Sequence, residues 1–221
     1  RAYKMIIGIA GLIGSGKDTT ADYLVNVHGF RKESFAGSLK DAISDIFGWD
    51  RVLLEGQTQH SREWREQIDE WWSDRLEQPK LAPRWVLQYV GTDVMRKWFH
   101  NDIWVASLEN KLRQSKDNIV IPDVRFANEV DMLKRNNAIC IRCERGEKPP
   151  WYELAKSINT ESGQDESVLT KAYQIHKSEY ATVGLDFNYE LDNNGSMDYL
   201  YQQINNLVED RQVPNVVPGV E

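Results

Sequence analysis

Residues 5–22 read MIIGIAGLIGSGKDTTAD, and they decide the fold. The apolar run Met5–Ala10 has the composition of a fully buried central strand, and it leads into Gly11-Leu12-Ile13-Gly14-Ser15-Gly16-Lys17. Asp18-Thr19-Thr20 then opens a helix expected over residues 17–27. A strand, a glycine-rich turn and a helix in that order make a phosphate-binding loop of the G-x-x-x-x-G-K type. Glycines let backbone N–H groups converge on phosphate oxygens, the helix N-terminus adds positive potential, and Lys17 adds a full charge. Four glycines within nine residues (Gly8, Gly11, Gly14, Gly16) argue against a mere connection. One position departs from the pattern: after the lysine, where Ser or Thr would offer a hydroxyl to Mg²⁺, stands Asp18.

Outward from the loop, the pattern predicts strands at 31–35, 118–121, 138–143 and 187–191. Ser38 reads as the N-cap of a helix over 39–47. The stretch 50–80 is rich in charge and Trp. Trp64, Ile68, Trp71 or Trp72 and Leu76 recur at helical spacing, so SREWREQIDEWWSDRL (61–76) reads as one amphipathic helix in an insertion at the sheet's edge. Pro83 suits the first turn of a helix at 84–90, which Gly91-Thr92-Asp93 interrupts, and Asp102 caps another over 103–114. Residues 126–136 and 197–208 read as helices, 144–180 as a polar, mobile excursion, and the tail ending VPNVVPGVE as loose. Five strands alternating with helices imply an α/β fold with a parallel sheet covered on both faces, whose ligands bind at the carboxyl ends of the strands. The phosphate loop and Asp123-Val124-Arg125 both lie there.

At 221 residues the chain fits one domain with insertions or a small two-part enzyme. With 28% charged residues, 41% hydrophobic residues and a net charge of −7, the composition is that of an ordinary soluble protein. The acidic balance argues against a nucleic-acid binder, which needs a basic face, but leaves room for a small anion in a locally basic pocket. No apolar run reaches the roughly 18 residues of a membrane span, and no signal peptide is expected. Cys140 and Cys143 lie in the strand-like AICIRC, where odd spacing points them to opposite faces. Free strand thiols are expected there rather than a disulfide or metal pair, in a reducing cytoplasmic setting.

Phosphoryl transfer asks the protein to hold two anionic groups in line and to aim positive charge at the transferring phosphoryl. The candidate cations are Lys40, Arg62, Arg84, Arg125 and Arg145. Arg125 is the strongest, because it follows a buried strand at the functional end of the sheet. Asp123 ends that strand, placed either to reach Mg²⁺ or a substrate hydroxyl or to cap the next helix. Glu129, four residues after Arg125 on the same helical face, either orients the arginine or forms an ordinary surface pair. Trp104 and the aromatics near Gly91 either stack on a base or fill a core. Among the histidines only His176, in the excursion, draws interest, and none has a nucleophile or metal-ligand partner at recognisable spacing.

GLIGSGKDTTADYL (11–24), FAGSLKDAI (35–43), LQYVGTDVMRKWFHNDIWV (87–105), IVIPDVRFANEVDML (119–133) and HKSE (176–179) together resemble, in order, the deoxynucleoside monophosphate kinases of tailed bacteriophages. The GKDT form with Asp18 is itself a mark of that family, while the Trp-rich insertion and the lid region beginning near Glu144 match poorly. The resemblance implies a P-loop kinase fold. Its five-stranded parallel sheet is flanked by helices in a single domain over 1–221, with a helical insertion at 50–80 near the monophosphate site and a lid at 144–180. It implies transfer of the γ-phosphoryl of ATP to a deoxynucleoside 5′-monophosphate, with Mg²⁺. Gly14, Ser15, Gly16, Lys17, Asp18 and Thr19 would hold the ATP phosphates, and Asp18 and Asp123 the metal. Lys40, Arg62, Arg84, Gly91, Trp104, Asp123, Arg125 and Glu129 would build the monophosphate site, with Lys17, Arg125 and Arg84 carrying the catalysis. Arg145, His176, Ser178 and Glu179 would belong to the lid. A setting in the cytoplasm of an infected cell and a homodimer are compatible with it. The alternatives are another small-molecule P-loop kinase, with Asp123 as general base, or a nucleotide-binding switch; the sequence has no N-K-x-D guanine signature.

Overall fold

In the computed structural model, residues 4–161 and 165–212 are described. The chain divides into two compact units, Arg1–Glu33 with Ser115–Glu221, and Ser34–Gln114. The first carries the sheet and the second is helical.

In the sheet unit, β1 spans Ile6–Ala10 with every residue buried, as an apolar run covered on both faces requires. It runs through the loop into the helix Lys17–His28, which ends where Gly29 adopts the left-handed region at φ 70°. β2 is only Arg31–Lys32, shorter than the expected 31–35, because the chain turns at Ser34, whose carbonyl accepts the Gly37 N–H at 3.1 Å. With β3 (Ile119–Ile121), β4 (Ile139–Glu144) and β5 (Tyr189–Asp192) these strands form one parallel sheet in the order β2-β3-β1-β4-β5. Ile7 pairs with Val120 on one side and Ile139 on the other. The chain therefore leaves β1 first toward one edge and later toward the other. The carboxyl end of β1 is the switch point at which such sheets open a ligand crevice.

Ile7, Ile9, Leu24, Ile141, Leu200 and Ile204 form the main core, closed by the helices Lys17–His28 and Met197–Gln212. The helix Ala127–Arg135 comes so near the sheet that a Cβ on Gly8 would lie 2.3 Å from Leu133 Cδ1. The excursion expected to be polar and mobile contains the helices Tyr152–Thr160, Ser167–Ala172 and Lys177–Tyr180. Tyr152, Ala155, Leu169, Tyr180 and Val183 give it a small core of its own, on which Leu12 of the phosphate loop packs.

The helical unit contains the helices Gly37–Phe47, Arg51–Glu55, Gln59–Glu66, Glu70–Arg75, Pro83–Gln88 and Ile103–Gln114. Its core joins Leu39, Ile43, Trp49, Leu54, Leu81, Val86 and Trp104. The Trp-rich stretch is thus part of a second core and not a surface appendage: Trp49 is buried and stacks on Phe47 with ring centroids 4.4 Å apart. The single helix expected over 61–76 is two. Asp69 interrupts it as an N-cap, accepting the Trp72 N–H at 3.1 Å through Oδ1 while Oδ2 accepts Trp49 Nε1–H at 2.8 Å. Ser38 lies inside its helix, which starts at Gly37 with Ala36 in the cap position. Gly91-Thr92-Asp93 does not break the chain's helical course either. Residues Tyr89–Phe99 continue from Gln88 as an 11-residue π-helix, a rare wound form. No helix among the described residues is long and apolar enough to cross a membrane.

Candidate active site

The phosphate loop leaves β1 at Gly11 and closes on the helix starting at Lys17. Gly14 and Gly16 take φ values of 76° and 103°, a region side chains rarely adopt, so both glycines are required by the turn itself. Gly16 is the N-cap and supplies no side-chain acceptor, so the first N–H groups of the helix are available to an anion. Lys17 Nζ folds over the loop and donates to the carbonyls of Gly11 (2.7 Å) and Leu12 (2.9 Å). Burial pushes the Lys17 ammonium below its ordinary value, and the positive charge of Arg125 lowers it further, while Asp18, Cys143 and Glu179 pull it back up. Lys17 and Arg125 therefore act on one electrostatic neighbourhood at the carboxyl end of the sheet. Ser15 is buried and its Oγ has no hydrogen-bond partner among the described residues. Thr20 Oγ1 faces Cys143 Sγ at 3.5 Å, and burial raises that thiol above its usual range.

Asp18 projects outward, 78% exposed, 3.6 Å from Lys32 Nζ. Mg²⁺ in nucleotide sites takes one or two carboxylates and fills the rest of its shell with phosphate oxygens and water. Asp18 at the first turn of the loop helix and Asp123 after β3 are carboxylates, the donor type such an ion takes. Residues 122–125 run beside the end of β1, with Val124 N–H donating to Ile9 O at 3.4 Å. Phe126, not Asp123, occupies the cap position of the helix Ala127–Arg135. The capping carboxylate is Glu129, buried, whose Oε2 accepts the backbone N–H groups of Arg125 at 2.7 Å and Phe126 at 3.0 Å. Glu129 thus fixes the main chain that carries Arg125.

Beside the loop lies a pocket lined by Gly11, Leu12, Ser15, Arg142, Arg145 and Lys148, among others. Arg142 is buried and donates to three neutral oxygens, Tyr152 Oη (3.2 Å), Thr182 O (2.9 Å) and Leu185 O (2.8 Å). It anchors the excursion to β4. Lys148 pairs with Glu144 and sits 4.6 Å over the Tyr152 ring. Of the expected lid residues, Arg145 lines this pocket and Glu179 acts electrostatically on Lys17. His176 and Ser178 instead serve the helix Lys177–Tyr180: His176 Nδ1 accepts the Ser178 N–H at 3.2 Å. Asn193, which no motif singles out, joins the site from the turn after β5. It is buried and its Nδ2 donates to Ser15 O at 3.0 Å.

Lys40, Arg62, Arg84, Gly91 and Trp104 belong to the helical unit. Lys40 Nζ pairs with Glu55 Oε2 at 2.6 Å, and Glu55 also binds Arg51. Burial opposes ionisation of Glu55, but these two cations hold its carboxyl below the ordinary value. Arg62 donates to Gln57 O at 3.0 Å and Arg84 to Glu66 Oε1 at 2.8 Å. Arg65, absent from the expected set, lies against Gly56, where a Cβ would meet its Nη2 at 2.0 Å. Burial and then the charge of Arg84 lower its guanidinium's pKa. Trp104 is a core residue and no open platform for a base. Its indole is buried and donates to Gly91 O at 3.0 Å, and Gly91 in turn has no room for a side chain, since a Cβ there would meet Leu39 Cδ2 at 2.6 Å.

A family model described as deoxynucleotide monophosphate kinase matches residues 50–168. That span contains the whole Trp-rich stretch 50–80. A putative deoxynucleotide monophosphate kinase of Acanthamoeba polyphaga mimivirus is 33% identical over 155 residues, covering 64% of this chain and 74% of that protein. The deoxynucleoside-5′-monophosphate kinase of Escherichia phage T5 is 27% identical over 182 residues, covering 60% and 73%. Among solved structures, the shikimate kinase of Aquifex aeolicus aligns with 97% of this chain and 100% of its own, at 10% identity and a TM-score of 0.44.

Proposed function

The chain belongs to the deoxynucleotide monophosphate kinase family, and we infer from that membership a phosphotransferase acting on a deoxynucleoside monophosphate. ATP is the phosphoryl donor. The products are ADP and the deoxynucleoside diphosphate. The observation that supports this reading best is the phosphate loop itself, with Gly14 and Gly16 in the left-handed region, an open helix N-terminus, and Lys17 under the influence of Arg125.

The sheet unit carries the donor side. The loop N–H groups and Lys17 grip the β- and γ-phosphates. An arriving phosphate pulls Lys17 toward its protonated form, against the burial and the Arg125 charge that lower its pKa. Arg125, fixed through its backbone by Glu129, offsets charge on the transferring phosphoryl. Mg²⁺, held by Asp18 and Asp123 together with the phosphates, would supply further neutralisation. Arg145 and the helices Tyr152–Thr160, Ser167–Ala172 and Lys177–Tyr180 belong to the lid that excludes water from the donor. The helical unit, which includes 50–80, carries the acceptor side through Lys40, Arg62 and Arg84. No general base is required, because the acceptor phosphate has a second pKa of about 6 and is already ionised at neutral pH. The viral and phage origin of the named relatives supports a role in the cytoplasm of an infected cell.

The test is a coupled ADP-release assay across all deoxy- and ribonucleoside monophosphates. ADP release that depends on a deoxynucleoside monophosphate is expected. Equal release with and without any acceptor would overturn the kinase reading in favour of a nucleotide switch.

A further inference from the structure

We propose that Asn193 is a positioning residue of the phosphate loop: its side-chain amide holds the Ser15 carbonyl on one side of the loop and so turns the Gly16 N–H toward the bound phosphates. The inference rests on the phosphate-loop reading of residues 11–17 and adds to it the group that sets the loop's geometry.

Asn193 directly follows β5. Its backbone N–H donates to Glu144 O at 2.8 Å, extending the β4–β5 pairing by one residue. Its side chain lies only 8% exposed, and Nδ2 donates to Ser15 O at 3.0 Å. The amide lies against Gly16: a Cβ there would be 2.4 Å from Asn193 Nδ2 and 3.3 Å from its Cγ. Gly16 is therefore required twice, for its φ of 103° and for the approach of Asn193. The Ser15–Gly16 peptide is planar and trans, so its C=O and N–H point in opposite directions. Fixing Ser15 O against Asn193 fixes the Gly16 N–H on the far side, as an anion-binding nest of successive N–H groups needs. The same turn also reaches the excursion, because Asn194 Oδ1 accepts the Gly146 N–H at 2.7 Å. Loop geometry and the root of residues 144–180 thus share one support.

The experiment compares Asn193→Leu, which keeps the volume but not the donor, with Asn193→Asp, which keeps the shape but adds charge. ATP affinity is measured by calorimetry without acceptor, alongside the KM values for ATP and for the monophosphate. The leucine variant is expected to bind ATP about tenfold more weakly, the scale of one lost hydrogen bond, and the aspartate variant more weakly still. The monophosphate KM should stay within about twofold. Asn193→Ala serves the same comparison should the leucine variant not fold. ATP binding by Asn193→Leu within about twofold of the parent would overturn the proposal, as would an aspartate variant equal to the parent, the result expected if Asn193 only fills space. If the parent itself fails to bind ATP, the phosphate-loop reading falls, an outcome distinct from either of these.

Discussion

Glu129 Oε2 accepts the backbone N–H of Arg125 at 2.7 Å, so a buried carboxylate four residues along the chain holds the arginine's main chain in place. Glu129→Ala leaves the N–H groups of Arg125 and Phe126 without that acceptor and removes a helix cap. A loss of about 1–3 kcal/mol in folding stability is expected, together with a lower kcat. Glu129→Gln keeps an acceptor oxygen and should lose less of both. Urea unfolding and steady-state kinetics check this. An alanine variant as stable and active as the parent would remove Glu129 from its positioning role.

Lys17 has its pKa lowered by burial and by Arg125, and this gives ATP binding a pH dependence of definite sign. Phosphate favours the charged ammonium, so affinity is full below the lowered Lys17 pKa and falls as pH rises through it, before the ordinary lysine value of 10.5. In that range ATP binding takes up a proton, which calorimetry in buffers of different ionisation enthalpy detects. Lys17→Met should abolish the proton uptake and nearly all turnover while far-ultraviolet dichroism is unchanged. ATP affinity flat up to pH 10.5 would contradict the assignment.

Arg125→Ala tests the coupling from the other side. Removing the neighbouring positive charge leaves burial as the cause still lowering the Lys17 pKa, so the alkaline limb of ATP binding should move to higher pH. Turnover should fall by about 100-fold, as when a charged stabiliser of the transition state is lost. A limb that stays in place would show that Arg125 and Lys17 do not share one field.

The strand, glycine loop and helix of residues 6–28 were legible because they are written locally: one apolar strand, glycines where the backbone must turn, one helix opening at Lys17. β1 and the order of the alternating elements followed from the same local signals. The helical unit was not legible in that way. Trp64 and Trp72 keep helical spacing whether their apolar face meets a sheet or, as here, a second core around Trp49. Asp69 looked like one more polar residue on a helical face, yet its side chain caps one helix and binds the Trp49 indole. Asn193 carried no signal, since its role depends on a partner 178 positions away in the chain. The π-helix was hidden too, because Gly91-Thr92-Asp93 reads as a breaker only if the helix is an α-helix.

Trp104 separates a core role from base recognition. Its indole is buried in the helical unit and donates to Gly91 O at 3.0 Å. Trp104→Ala should cost about 3–5 kcal/mol through the cavity it leaves. Trp104→Phe should cost less, losing mainly the hydrogen bond, and should not change the ranking of monophosphates by base. A changed ranking with unchanged stability would return Trp104 to the substrate site.

The Lys40–Glu55–Arg51 group makes the helical unit sensitive to acid. Burial raises the Glu55 pKa, but the Lys40 and Arg51 partners outweigh it and hold the carboxyl below its ordinary value of 4.5. A carboxylate depressed in the folded state contributes stability that is fully present above the unfolded value and is lost as pH falls through the folded one. Unfolding followed by tryptophan fluorescence should therefore show a stability loss below about pH 4.5 that Glu55→Gln flattens. The same variant leaves Lys40 without its carboxylate and freer to meet an anion. If Lys40 serves the acceptor phosphate, Glu55→Gln should lower the monophosphate KM or leave it unchanged, whereas Lys40→Met should raise it. A higher KM in Glu55→Gln would mean that the Glu55 partner holds Lys40 in the productive place, and that the pair belongs to the site as a unit.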